Sequence, residues 1–238
     1  LFVVLSISVV YRGCAIPIAW TILREGQKGS WKEPWLRLFK GLQGTTPENW
    51  LVIVAADRGL YAHWLYEAIQ NCGWHPFLRI NLRSKYRPKG EADFRPMAQL
   101  LPSPNSVWSG KVTCFAVNSV EGTLLACWSA KHLEPWIILT DLPPENASAA
   151  WYGMRSWIED SFKDLKSDGW QWQNTRMSDP KRAARLWLAL SVATLWVVSV
   201  GGELDAQLQE SDLSRLPLTH IARKTKIHSR TARKFSCF

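Results

Sequence analysis

Apolar and polar positions in the first half of the chain follow the pattern of a mixed α/β protein. The opening run LFVVLSISVVYRGCAIPIAWTIL is rich in β-branched residues, and its break at Arg12-Gly13 predicts two strands joined by a tight turn. A helix is predicted from Lys32 to Gly41. The continuous apolar run from Leu51 to Ala56 suits a strand buried on both faces. A helix from about Leu60 to Asn71 and the strand WHPFLRINL would then complete a β-α-β unit.

Residues 84 to 134 break this alternation of strands and helices. Their proline and glycine punctuation and the short apolar pieces KVTCFAVNS and TLLACWSA predict a β-rich insertion. The segment PWIILTDLPP closes it as a further strand with a proline stop. We therefore predict four segments: the first part of a core (1–83), the β-rich insertion (84–140), the second part of the core (141–202) and a basic C-terminal tail (203–238).

The apolar run from Leu186 to Val200 needs a choice between a core helix and a membrane span. It has 15 residues and follows Arg182 and Arg185, whereas a spanning helix needs roughly 20 apolar residues. Its length favours a buried core helix, so we expect no membrane association.

Composition indicates the kind of binding partner and the cellular compartment of the protein. The 29 Lys and Arg against 20 Asp and Glu give a net charge of +9, which favours a polyanionic partner such as nucleic acid or an anionic membrane surface. The five cysteines are widely spaced without a C-x-x-C pair, which favours reduced thiols in the cytoplasm. From Ser214 onward the tail has seven Lys or Arg and no acid, which suits either a DNA backbone contact or a solvated, disordered tail.

The run AAWYGMRSWIEDSFKDLKSDGW, residues 149 to 170, is predicted to be a helix with a polar stripe. At about 100° per residue, Tyr152, Arg155, Glu159 and Lys166 fall within an arc of roughly 60°. Ile158, Phe162 and Leu165 form an apolar stripe beside it. The polar stripe would line a cleft next to the core, and the alternative is an ordinary solvated helix face.

Asp57 follows the predicted buried strand, at the edge where α/β sheets place their sites. If the sheet brings Asp57 beside Glu159, the two carboxylates could share divalent cations that also hold a substrate phosphate. The alternative role for Asp57 is an N-cap of the following helix.

These residues resemble the DDE transposases of bacterial insertion sequences, in the subgroup with the signature Y-(2)-R-(3)-E-(6)-K. Tyr152, Arg155, Glu159 and Lys166 match that spacing, VAADRGL resembles the segment around the family's second catalytic aspartate, and PIAWTILREGQKGSW is similar to the segment before it. The resemblance implies a ribonuclease H-like fold with a β-rich insertion before the glutamate helix. It also implies an Asp-Asp-Glu triad that holds two Mg²⁺ (or Mn²⁺) ions for cleavage and strand transfer of DNA.

The same resemblance assigns roles to the matched residues. Asp57 and Glu159 would be catalytic metal ligands, and Tyr152, Arg155 and Lys166 would bind DNA phosphates. The partners implied are double-stranded DNA, as transposon ends and as target, and a second copy of the chain in a homodimer. The location implied is the bacterial cytoplasm, at the nucleoid. In this family an aromatic residue of the insertion can stack a flipped base, a position that Trp128 or Trp136 would suit, although core packing is the ordinary role of tryptophan.

One part of the family pattern has no match in these residues. The family's first aspartate lies on the first strand of the fold, whereas Asp57 is the first aspartate of this chain. We therefore expect a fold that lacks its first strand and a chain that is inactive alone. A non-catalytic remnant that only binds DNA or pairs with an intact transposase is the alternative, and an unrelated ribonuclease H-like nuclease is a third.

Overall fold

The computed structural model describes residues 2–26, 31–101, 103–130 and 133–207. It divides the chain into two compact units, one formed by residues 1–29 with 156–238 and the other by residues 30–155. Most of the predicted basic tail, residues 208–238, lies outside the described residues, and so does Cys237.

The first unit contains an antiparallel hairpin of β1 (Phe2–Tyr11) and β2 (Cys14–Arg24). Arg12 and Gly13 both have positive φ, 47° and 81°, as the primed turns of two-residue hairpins require. The predicted pair of strands with a tight turn is therefore confirmed.

The described part of this unit also contains the α-helices α3 (Ser156–Lys163) and α4 (Pro180–Gln207). Their core centres on Trp187, which is 1% exposed and packs with Ile22, Leu165 and Leu190. The rings of Trp20, Phe162 and Trp172 surround it with centroids 5.5–6.4 Å away.

Helix α4 is buried on one side only, so the prediction of a buried core helix is wrong for its other side. Ala183, Trp187 and Val198 face the core, whereas Leu188 and Trp196 are 56% and 71% exposed. Within Pro180–Gly201 an 18-residue window has a mean hydropathy of 1.7, and by length and composition alone this helix could cross a membrane. The core helix of a soluble protein can pass the same test.

The second unit is built on a seven-stranded mixed sheet with the order β3-β4-β9-β8-β7-β5-β6. Its strands are β3 (Ile53–Ala56), β4 (His75–Arg79), β5 (Lys85–Pro88), β6 (Arg95–Pro96), β7 (Val107–Cys114), β8 (Val120–Cys127) and β9 (Trp136–Thr140). Among the described strands only β3 and β4 pair in parallel, and α2 (His63–Asn71) connects them, which confirms the β-α-β unit. Helix α1 (Lys32–Leu42) packs against α2.

Strand β3 lies at one end of the sheet order and is only half buried. The prediction that this apolar run is a strand is confirmed, but the prediction that both of its faces are buried is wrong. Hydropathy alone does not distinguish a central strand from an edge strand, because the distinction depends on which strands pair. Cys72, Cys114 and Cys127 are free thiols.

Candidate active site

Asp57 directly follows β3, at the carboxyl end of the parallel β3–β4 pair. Its Oδ1 accepts a hydrogen bond of 2.8 Å from the backbone N–H of Arg58. The N-cap of α2 is Ala62, so the alternative role of Asp57 as the cap of that helix is wrong. The carboxylate is therefore available for another role.

Tyr152, in the segment 149–155, contacts Asp57. This segment is a 3₁₀ helix, and the Tyr152 ring is 2% exposed against Phe77, Leu125 and Ile138 of the sheet. Its hydroxyl donates a hydrogen bond of 3.1 Å to Oδ1 of Asp57. A contact between residues 95 positions apart thus joins the aspartate to the first residue of the Y-R-E-K spacing.

Two arginines add positive charge around the carboxylate. Nη1 of Arg79, the last residue of β4, lies 3.8 Å from Oδ1 of Asp57, and its side chain is 16% exposed. The guanidinium of Arg155 lies 5.7 Å from the centroid of the Tyr152 ring, a cation–π contact. These neighbouring groups thus stabilise the negative charge of the Asp57 carboxylate.

The pKa values follow from these contacts. Burial acts to raise the pKa of Asp57, but the Arg58 N–H, the charges of Arg155 and Arg79 and the Tyr152 hydroxyl together hold it below its usual value. Burial and the neighbouring Asp57 carboxylate raise the pKa of Tyr152. At neutral pH the site therefore holds an ionised aspartate and a neutral tyrosine.

Glu134 is a second carboxylate that shares these arginines. Its Oε2 lies 2.6 Å from Nη1 of Arg58 and 3.7 Å from Nη2 of Arg79. Sequence reasoning missed Arg58, Arg79 and Glu134. Arg79 could have been found, because it ends the strand parallel to β3 and the carboxyl ends of parallel strands meet at one edge. Nothing in the local sequence marks Glu134.

The last two residues of the Y-R-E-K spacing lie in the other unit. Exposed Glu159 is on α3, and exposed Lys166 is in the π-helical turn Asp164–Asp168. Ser161 of the same helix accepts a hydrogen bond of 2.7 Å from the backbone N–H of Ala15 on β2, which fixes α3 against the hairpin. The pairing of Glu159 with Asp57 stays a prediction.

The prediction of one α-helix over 149–170 is wrong. The run is a 3₁₀ helix (Ala149–Arg155), α3 and a π-helical turn in succession. A 3₁₀ helix turns by about 120° per residue instead of about 100°, so the calculated stripe does not hold across residue 155. Tyr152 points into the sheet core, while Leu165 packs in the core of the first unit.

Asp57 has the chemistry of a ligand for a hard divalent cation. Its side chain is 41% exposed, and its depressed pKa keeps the oxygens ionised. Among the residues that the structure describes, no three His, Cys, Asp or Glu side chains cluster closely enough to hold a metal ion. Asp57 therefore fits such a site as one ligand, and further oxygens must come from elsewhere.

A comparison with protein families decides the assignment. The model of the transposase DDE domain matches residues 33–196, well over half of the 238 residues. This chain belongs to the DDE transposase family. Membership places this transposase domain in the nuclease and transposase class of enzymes, whose substrate is DNA and whose members generally use divalent metal ions. A search of curated proteins finds no match to this transposase domain.

Proposed function

We propose that this chain is the transposase domain of a bacterial insertion sequence of the Y-R-E-K subgroup, with a ribonuclease H-like core. The hydrogen bond between Tyr152 and Asp57 carries the proposal, because it joins the signature to the aspartate that follows the β3 strand. The function is DNA transposition by cleavage and strand transfer at transposon ends. It would take place in the bacterial cytoplasm, with a homodimer pairing two ends.

In this proposal Asp57 and Glu159 are the catalytic carboxylates that would hold Mg²⁺ or Mn²⁺. When bound, such ions supply Lewis acidity at a scissile phosphate. The residues of this chain would do the rest: Arg155 binds the phosphate next to Asp57, and Lys166 binds the DNA backbone. Tyr152 would bind the same phosphate when its hydroxyl, which has one proton, turns from Asp57 to a phosphate oxygen. A guanidinium suits this role, because its fixed N–H donors match phosphate oxygens.

We further propose that these 238 residues do not cleave DNA alone. Asp57 is their first aspartate, so one of the three carboxylates of a DDE triad has no counterpart. Strand β3 has a single neighbour, β4, in the described sheet, so its other edge is where an additional strand carrying an aspartate would pair. The second candidate is a non-catalytic remnant that binds DNA or pairs with an intact transposase, and the missing counterpart of one triad carboxylate favours it.

Binding and cleavage of DNA by the purified chain test these statements separately. The substrates are duplexes from the two flanks of the coding region, with and without Mg²⁺. We expect binding without cleavage, and weaker binding for Arg155→Gln than for the control Arg83→Gln, an exposed arginine of the same unit. If the wild-type chain binds neither duplex, the transposase role is refuted. Mg²⁺-dependent cleavage by the wild-type chain would refute the proposal that these residues do not cleave DNA alone. Such cleavage should be lost in Asp57→Asn and kept in the control Asp93→Asn.

A further inference from the structure

Four cations of the β-rich segment form a group that we call the basic ladder: Lys85, Arg87, Lys89 and Lys111. The sequence KYRPK places the first three at every second position, which is the period of one strand face. Tyr86, between them, is buried, and Lys85, Lys89 and Lys111 are exposed. The three residues on β5 and just after it therefore project to the side opposite Tyr86.

The register between β5 and β7 places Lys111 on the same face. Arg87 pairs with Thr113, and the backbone N–H of Lys89 donates a 2.9 Å hydrogen bond to the carbonyl of Lys111. Lys89 and Lys111 are thus directly opposite each other, and such pairs have Cβ atoms about 4.5–5.5 Å apart. Like charges at that separation repel, a cost that a bound polyanion would remove.

The basic ladder shares a sheet face with Asp57. Lys111 pairs with Thr123, Thr123 with Thr140, and Thr140 with Phe77. Arg79 is two residues beyond Phe77 on the same strand face, and it lies beside Asp57. At about 4.8 Å per strand, the three steps from β4 to β7 amount to roughly 14 Å.

The acidic residue next to the basic ladder in sequence already has a cationic partner: Glu91, two positions after Lys89, forms an ion pair with Arg95. Glu121 is opposite Thr113 on β8, and the segment Pro144–Asn146, which contains Glu145, packs against β7 and β8 on the way to Tyr152. The guanidinium of Arg87 lies 5.0 Å from the centroid of the Phe94 ring, which holds it in place without neutralising its charge. The face therefore keeps a positive excess.

We propose that the basic ladder binds the sugar-phosphate backbone of DNA beside the phosphate held at Asp57. The proposal rests on the DNA substrate of the proposed function and adds a second contact surface to it. With about 3.4 Å of rise per phosphate along one strand, roughly 14 Å corresponds to about four base pairs. The basic ladder would thus contact the duplex about four base pairs away from the phosphate at Asp57, without reading its sequence.

The salt dependence of DNA binding tests this surface. The variant Lys89→Gln with Lys111→Gln removes two charges from the basic ladder. The control Arg37→Gln with Lys40→Gln removes two exposed charges from α1. Fluorescence anisotropy with a labelled duplex of arbitrary sequence gives the dissociation constant between about 50 and 200 mM salt, the range over which phosphate contacts dominate affinity.

We expect the negative slope of log affinity against log salt to become shallower by about 1.8 for the basic-ladder variant, since each phosphate contact contributes about −0.9 to it. The control variant should keep the wild-type slope. Circular dichroism checks that both variants are folded. If the wild-type chain binds DNA and the two variants have equal slopes, the proposed role of the basic ladder is wrong, while the transposase role stands. A wild-type chain that binds no DNA at low salt would overturn both the basic ladder and the transposase role.

Discussion

The hydroxyl of Tyr152 donates a hydrogen bond of 3.1 Å to Oδ1 of Asp57, while the ring of the same tyrosine is buried against the sheet. The tyrosine is therefore fixed by packing and presents its hydroxyl to a carboxylate that is 41% exposed. The position of Asp57 thus depends on a residue that lies 95 positions further along the chain.

Removal of that hydroxyl is the most direct test of the contact. Tyr152→Phe keeps the ring in the core and removes a donor that lowers the pKa of Asp57, so we expect that pKa to rise. The free energy of unfolding should fall by about 1 kcal/mol, the usual net value of one hydrogen bond. Carboxylate NMR titration and urea unfolding measure the two effects.

A double-mutant cycle with Asp57→Asn separates this contact from other effects of the substitutions. The coupling free energy between Tyr152→Phe and Asp57→Asn should be of the same sign and size as the loss in Tyr152→Phe. Strictly additive effects of the two substitutions would show that the hydrogen bond contributes nothing.

Glu134→Gln should strengthen DNA binding. Glu134 holds Arg58 and Arg79 beside Asp57, and its charge competes with phosphate for both guanidinium groups. The amide keeps the shape of the side chain, so the affinity should rise several-fold at low salt and the gain should shrink as salt screens the charges. Anisotropy titrations measure this, and Glu48→Gln, an exposed acid of the same unit, is the control for net charge. Identical affinities for the two variants would contradict the competition.

Trp187 should dominate the stability of the first unit. Trp187→Ala removes a ring that is 1% exposed and in contact with three other aromatic rings, and we expect a loss of about 3–5 kcal/mol. Trp196→Ala on the same helix is the matched control, because Trp196 is 71% exposed and its loss should change stability by at most about 0.5 kcal/mol. Urea unfolding followed by far-UV circular dichroism compares them, and similar losses would refute the packing of α4.

The start of α4 should depend on pH through Asp179. Its Oδ1 accepts hydrogen bonds from the backbone N–H groups of Lys181 and Arg182, at 2.7 and 3.2 Å, and these lower the pKa of Asp179. A carboxyl whose pKa is depressed by folding stabilises the fold above its unfolded pKa, near 3.8, and loses that contribution as pH falls through the lower folded value.

We therefore expect Asp179→Ala to be less stable than the wild type at pH 7, with a gap that closes as the pH falls below about 4. Asp179→Asn keeps an acceptor at the cap and should lose less than the alanine variant. Thermal unfolding at several pH values measures the gap. A difference that stays constant down to pH 2 would exclude the carboxylate as the cause.

Local sequence patterns predict the order and type of most elements. The turn at Arg12-Gly13 and the β-α-β unit around Asp57 follow from local patterns, since turn residues and apolar periodicity act within a few positions. The Y-R-E-K spacing is likewise a property of the chain alone and led to the family that the domain comparison then showed.

Three other features depend on contacts made in the folded chain. Strand β3 lies at the end of the sheet order, the 149–168 run changes helix type at residues 155 and 163, and Arg79 and Glu134 lie beside Asp57. Each depends on contacts between residues far apart in sequence, where packing of the Tyr152 ring and pairing of strands outweigh local propensity. Local patterns thus specify elements, whereas the surroundings of the Asp57 carboxylate exist only once those elements pack.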